Sequence, residues 1–253
     1  MGYPLGHSFS ARFFTEKFQR EGIDAAYRNF EMPDVSGLRR LVADEPALCG
    51  FNVTIPHKQH VIPLLDGLSP EARAIGAVNV VRIERAGGDV RLFGYNSDVL
   101  GFSRSIAPLL RPHHRAALVL GTGGASLAVV YALRQLGVEP LYVSRTPAAG
   151  HITYADLSPE VMATHTVIVN CSPVGMFPHT DEAPAIPYSS LTPDHLLYDL
   201  VYNPAETRFM RLGAEQGAVV KNGLEMLHLQ ALASWDIWNG RPPLGAACGT
   251  EKS

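Results

Sequence analysis

The segment Ala116–Leu120 is an uninterrupted apolar run that ends in Gly121-Thr122-Gly123-Gly124-Ala125-Ser126, and no other feature restricts the fold as strongly. An apolar stretch of helical character, residues 127–136, follows and stops at Gly137, and residues 140–144 form a second buried-strand pattern. Strand, glycine turn, helix and strand make a βαβ unit, whose right-handed crossover commits the chain to a parallel sheet. Two further apolar runs, residues 166–170 and 196–201, extend that sheet.

The turn itself carries chemistry. A dinucleotide pyrophosphate needs backbone N–H groups at a helix N-terminus and no Cβ in the way. Gly121, Gly123 and Gly124 supply both, flanked by Thr122 and Ala125, while Ser126 stands where the commonest fingerprint has a third glycine. A plain tight turn is the alternative, and the strand-to-helix setting favours the nucleotide. At the end of the second strand an acid would serve a ribose 2′-hydroxyl, and a cation a 2′-phosphate. The residues there are Ser144-Arg145-Thr146, with no acid, so Arg145 can offer a planar charged fork and the two hydroxyls further hydrogen bonds. A solvated surface arginine is the competing explanation; beside a glycine turn, the cation points to NADP.

Before this unit the pattern is more mixed. Phe13, Phe14 and Phe18 fall at helical spacing in residues 12–21, behind a serine-rich entry, and residues 36–45 suggest a second amphipathic helix. Residues 50–55 read as a short strand stopped by Pro56. Residues 77–83 and 89–95 alternate as a hairpin about Ala86-Gly87-Gly88. A last helix is expected from about Leu224 to Trp238.

Composition excludes several classes. With a formal charge of −3 and no Lys/Arg block, nucleic acid is not an expected partner. Three cysteines, Cys49, Cys171 and Cys248, share no C-x-x-C spacing, as is ordinary in a reducing cytosol. No secretory leader and no apolar run of membrane-spanning length is seen, so a cytoplasmic location is expected. His7, His57 and His60 have no metal-ligand spacing, and no metal is expected.

Taken together, the polar segments resemble the shikimate dehydrogenase family from Gly2 to about Gly240. The carriers are Gly2-Tyr3-Pro4-Leu5-Gly6-His7-Ser8-Phe9-Ser10, Asn52-Val53-Thr54-Ile55-Pro56-His57-Lys58, Gly76-Ala77-Val78-Asn79 and Asn96-Ser97-Asp98. They continue with Asn170-Cys171-Ser172-Pro173-Val174-Gly175-Met176, Tyr198-Asp199-Leu200-Val201-Tyr202 and Asn222-Gly223-Leu224-Glu225-Met226-Leu227-His228-Leu229-Gln230. The resemblance implies an α/β protein. A substrate and catalytic domain over residues 1–100, completed by helix 224–240, would be joined across a cleft to a Rossmann-like, doubly wound NADP-binding domain over 101–223.

It implies reversible hydride transfer between shikimate and 3-dehydroshikimate, on the route to chorismate and the aromatic amino acids, by a monomer or homodimer. Lys58 and Asp98 would be the catalytic pair. Ser8 and Ser10 would hold the substrate carboxylate with Tyr202. Thr54, Asn79, Asp98 and Gln230 would read the ring hydroxyls, with Asn52 close by. Leu200, Gly223 and Met226 would border the nicotinamide. Elementary chemistry agrees: oxidising a secondary alcohol needs a hydride acceptor, a proton acceptor and donors for the developing oxyanion.

Taken singly, Lys58 reads as a solvated lysine, and Ser8, Ser10 and Asp98 as helix caps. Two other functions remain in view, an NAD-dependent quinate/shikimate dehydrogenase and a non-catalytic regulator that binds a shikimate-like ligand. The family's pattern also has a strand before the Gly-x-Pro loop, for which residues upstream of Met1 are expected. Its crossover helix between Arg145 and Thr166 is expected to be reduced or missing here, and Arg145 is expected to be the lone cation.

Overall fold

The computed structural model describes residues 1–5 and 9–241. They form two compact units, one comprising Met1–Ser97 and the chain from Ala231 onward, the other Asp98–Gln230.

The first unit opens on helix α1, Phe9–Glu21, and α2, Leu38–Asp44. Strands β1 (Gly50–Asn52), β2 (Gly67–Leu68), β3 (Val80–Ala86) and β4 (Asp89–Tyr95) make a sheet in the order β1-β3-β4-β2. β3 and β4 are the expected hairpin about Gly87-Gly88, in register from Val80↔Tyr95 to Ala86↔Asp89. Between β2 and β3 runs α3, Pro70–Ile75, where the Ser69 hydroxyl accepts from the Ala72 N–H and a proline fills the first turn. β1 is shorter than its apolar run, yet the chain beyond it stays paired: Val53 N–H donates to the Asn79 carbonyl and Thr54 N–H to that of Met1. Gly2 in turn pairs with Glu31, and Tyr3 N–H donates to the Ile55 carbonyl, so Met1–Tyr3 lies between residues 30–32 and 54–55.

The phenylalanines of α1 are helical and inward, as their spacing predicts. Phe14 and Phe18 pack with Ala231, Tyr27, Trp235 and Trp238, and the Trp238 indole donates to the Val81 carbonyl at 3.2 Å. Each ring so buried contributes roughly 1.5–3 kcal/mol.

The second unit starts with α4, Asp98–Ile106, so the change of unit falls after Ser97 rather than after residue 100. Its strands are β5 (Ala116–Leu120), β6 (Glu139–Ser144), β7 (His151–Thr153), β8 (Val167–Asn170), β9 (Leu196–Asp199) and β10 (Val219–Lys221). All neighbours are parallel, in the order β10-β9-β8-β5-β6-β7. Counting from β5 as first, that order is 3-2-1-4-5-6 read from the β7 edge, the order of dinucleotide-binding folds.

Alternation along the strands divides the core between two faces. Ala117, Val119, Val167, Val169 and Tyr198 face Phe102 and Ile106 of α4 and Val129 and Leu133 of α5 (Gly124–Gln135). Leu118, Leu120, Ile168 and Leu197 face Met162 of α6 (Pro159–Thr164) and Phe209 and Met210 of α7 (Arg208–Glu215). The crossover after Arg145 is indeed reduced, to the six residues of α6 capped by Ser158. The last helix, α8, spans Leu224–Trp238 as read; through Gln230 it belongs to the second unit and from Ala231 to the first.

Candidate functional site

In the first unit three of the predicted substrate residues, Ser10, Asn52 and Asn79, share one hydrogen-bonded net. Asn79 is buried; its amide N–H donates to the Ser97 hydroxyl at 3.0 Å and its carbonyl oxygen accepts from the Ser97 N–H at 2.7 Å. Asn52 donates to the Ser234 hydroxyl at 3.0 Å and to the Asn79 backbone carbonyl at 3.4 Å, and accepts from the Tyr27 phenol at 3.0 Å. Burial pushes that phenol up to about 12, against a hydrogen bond from Ser10. Ser10, Tyr27, Asn52, Ser234, Ser97 and Asn79 are thus linked in sequence, Ser97 and Ser234 meeting at 3.2 Å.

Tyr27 and Ser234 were not legible as site residues. Their partners lie 25 and 182 residues away from them in sequence, and no local motif marks either. Thr54 and Lys58 are half-buried in the segment that follows β1, where Val78 N–H donates to the Lys58 carbonyl at 2.8 Å and so ties that segment to the turn before β3. Neighbouring His57 is buried with its Nε2 at 2.6 Å from the Met32 carbonyl, a structural histidine. Ser8 lies outside the described residues.

In the second unit the glycine turn stands at the carboxyl edge of the sheet, between β5 and α5. Gly121 has φ +104°, a conformation that side chains resist, and Gly123 is the residue before the first turn of α5. Thr122 and Gly123 are exposed, and a Cβ on Gly123 would meet only open space. The twelve-residue helix therefore presents its N-terminal N–H groups outward, as a pyrophosphate requires. Ser126, at the third-glycine position, is fully buried, and its hydroxyl donates to the Gly123 carbonyl at 2.7 Å. It braces the turn from beneath.

The next strand ends as the cofactor argument needs. Ser144 donates its hydroxyl to the Thr146 carbonyl, bending the chain so that Arg145 and Thr146 are exposed. Arg145 makes no ion pair with any described carboxylate and lies near Tyr154, whose phenol is raised by burial while that guanidinium opposes the rise. A free guanidinium beside an open glycine turn fits a ribose 2′-phosphate.

Further along the same edge, Leu200 and Gly223 are in backbone contact; a Cβ on Gly223 would stand 2.2 Å from the Leu200 carbonyl oxygen, so only glycine fits. Met226 is buried beside Leu200 in the same core. Tyr202 is half-buried, and burial raises its phenol. Beneath this loop Asp199 is fully buried and accepts from Asn170 at 2.9 Å, Val201 N–H at 3.0 Å and Thr207 at 2.6 Å. Burial outweighs those bonds and lifts its carboxyl to about 6. Asp98 is buried at the start of α4, and Gln230 is buried with its amide donating to the Leu227 carbonyl at 2.9 Å. Among the described residues no metal-ligating cluster occurs, and no helix is long and apolar enough to cross a membrane.

Residues 1–81 match the family described as the shikimate dehydrogenase substrate binding domain. Over 262 residues the chain is 35% identical to a protein of Desulforamulus reducens named shikimate dehydrogenase (NADP(+)), covering 94% of this chain and 88% of that one. Shikimate 5-dehydrogenase from Thermus thermophilus, solved with NADP(H) and shikimate, superposes with a TM-score of 0.82 at 33% identity, over 96% of this chain and 92% of that one. Quinate dehydrogenase from Corynebacterium glutamicum, solved with NAD, superposes with a TM-score of 0.82 at 28% identity, over 96% and 93%. A Rossmann-type sheet with an open glycine turn, joined in one chain to this substrate-binding unit, defines a dinucleotide-dependent oxidoreductase. The chain belongs to the shikimate dehydrogenase family.

Proposed function

We propose that this protein is an NADP-dependent shikimate dehydrogenase, interconverting shikimate and 3-dehydroshikimate in the cytoplasm as a monomer or homodimer. The observation that carries the reading is its likeness, over nearly its whole length, to proteins bearing that name; Lys58 and Asp98 stand in segments that resemble the family's motifs. When bound, the nicotinamide supplies the acceptor or donor of the hydride.

The remaining work falls to this chain. Lys58 and Asp98 take the proton from the reacting hydroxyl on oxidation and return it on reduction. Ser8 and Ser10 with Tyr202 hold the substrate carboxylate. Thr54, Asn79 and Gln230 read the ring hydroxyls, whose loss from a ligand would leave buried polar groups unpaired. Asn52, its amide engaged at both ends, acts by holding Asn79 and Tyr27 in place.

Residues 121–125 receive the pyrophosphate, and Arg145, with Thr146 beside it, receives the 2′-phosphate. Ser144 shapes that turn, while Leu200, Gly223 and Met226 wall the nicotinamide. Structural likeness does not separate shikimate from quinate enzymes here, since both superpose equally well; the cation at 145, where an NAD site would place an acid, favours NADP.

The test is a four-way comparison of NADP+ and NAD+ reduction with shikimate and with quinate. We expect kcat/KM to be highest for NADP+ with shikimate, by about 10-fold or more, the worth of one charged hydrogen bond. Preference for NAD+ or quinate would replace this reading with the quinate enzyme, and saturable binding without reduction would replace it with a regulator.

A further inference from the structure

Helices α4 and α8 meet at a glycine. A Cβ added to Gly101 would stand 2.6 Å from the Met226 carbonyl oxygen, 3.2 Å from the Gln230 backbone nitrogen and 3.1 Å from the Gln230 Cβ. Two of those atoms are backbone, so the contact has no flexible group to yield. One turn further along α4, the buried Ser105 donates to Glu225 Oε2 at 3.0 Å and accepts from the Tyr198 phenol at 2.9 Å, while Lys221 pairs with the same Glu225 oxygen at 2.6 Å. Residues 98, 101 and 105 stand at i, i+3 and i+7, on one stripe of α4. Along that stripe Ser105 meets Glu225 and Gly101 meets Met226 and Gln230, so a step back to Asp98 leads toward the Gln230 end of α8.

We propose that Gly101 is a positioning residue, whose missing side chain sets the spacing between the Asp98 carboxylate and the Gln230 amide, with the Ser105–Glu225 bond fixing the register of the two helices. The inference rests on the reading of Asp98 and Gln230 as groups that meet shikimate. A methyl at position 101 displaces α8 by the several tenths of an ångström needed to clear a carbonyl oxygen. Misplacement of order 1 Å can cost about 100-fold in rate.

The experiment compares Gly101→Ala, Gln230→Ala and their double variant, with Asp98→Asn in parallel, well below their thermal midpoints. Gly101→Ala is expected to lower kcat/KM for shikimate by roughly 10- to 100-fold. Because both changes act on the same amide, the double variant should lose clearly less than the product of the single losses. Full multiplicativity would overturn the proposal. If Asp98→Asn and Gln230→Ala leave shikimate oxidation intact, the functional reading itself fails; if they impair it and Gly101→Ala does not, only the positioning role fails. Should Gly101→Ala not fold, Glu225→Ala against Glu225→Gln decides. Glutamine keeps an acceptor for Ser105 and should retain activity toward shikimate, whereas alanine should lose about 5-fold or more. Equal activity of the two would overturn the register claim.

Discussion

The two units present polar groups in opposite ways. In the first, Tyr27, Asn52, Asn79, Ser97 and Ser234 are largely engaged with one another, so the side chains offered to a ligand are fixed before it arrives. In the second, the turn at 121–124 offers backbone N–H groups at a helix N-terminus, and Arg145 stands exposed beyond the next strand. A polyhydroxy ring is distinguished by the placement of several neutral hydrogen bonds, which demands rigid side chains. A phosphate demands positive potential and open donors, which a helix end and one guanidinium provide. Substrate selectivity should therefore break through packing changes, and cofactor selectivity through a single surface charge.

The largest effect should come from Lys58→Ala. The loss of an acid–base group is expected to lower kcat by roughly a hundred- to ten-thousand-fold, with shikimate KM within a few-fold. Near-normal turnover of a folded variant would remove Lys58 from the chemistry. Arg145→Gln comes next: the NADP/NAD ratio of kcat/KM should fall about 10-fold or more with the thermal midpoint unmoved, because the residue is exposed and holds nothing in place. An unmoved ratio would place the 2′-phosphate elsewhere.

Asn79→Ala should do the reverse of Arg145→Gln. It strips the Ser97 N–H and hydroxyl of a buried partner, at a cost of about 1–3 kcal/mol, and should lower the thermal midpoint by roughly 2–10 °C together with shikimate kcat/KM. Unchanged stability would mean the net is not what orders this unit.

The smallest effect concerns Asp199. Its folded carboxyl titrates at about 6 against an ordinary 3.8, because burial outweighs its hydrogen bonds. The native state thus holds the proton more tightly than the unfolded chain, so this group lowers stability as pH rises from about 4 to about 6 and is level above that. Asp199→Asn abolishes the titration, and its urea midpoint relative to the parent should climb across that window. A difference independent of pH would contradict the assignment.

The contrast between the units also explains what could be read in advance. The strand–turn–helix at 116–136 is local, and its strand was legible to the residue because apolar run, glycines and helix are contiguous. β7 and β10 are not legible in the sequence, being three-residue, half-buried strands whose identity comes from a parallel neighbour rather than from their own pattern. α7 carries a usable signal in the sequence, the Thr207 cap ahead of Phe209 and Met210. At the candidate site, Lys58, Asn79 and Asp98 lie in motifs with neighbours in sequence, whereas Tyr27 and Ser234 join the net only through folding. Ser144 had the right position for a phosphate ligand, but the direction of its hydroxyl is a property of the folded turn.

If Arg145 holds the 2′-phosphate while Lys58 acts on the substrate alone, calorimetric titration of NADP+ into the parent, Lys58→Ala and Arg145→Gln separates the two roles. A Kd within about 2-fold of the parent is expected for Lys58→Ala, and one at least about 10-fold weaker for Arg145→Gln. Equal weakening in both variants, or none in Arg145→Gln, would contradict that division of roles.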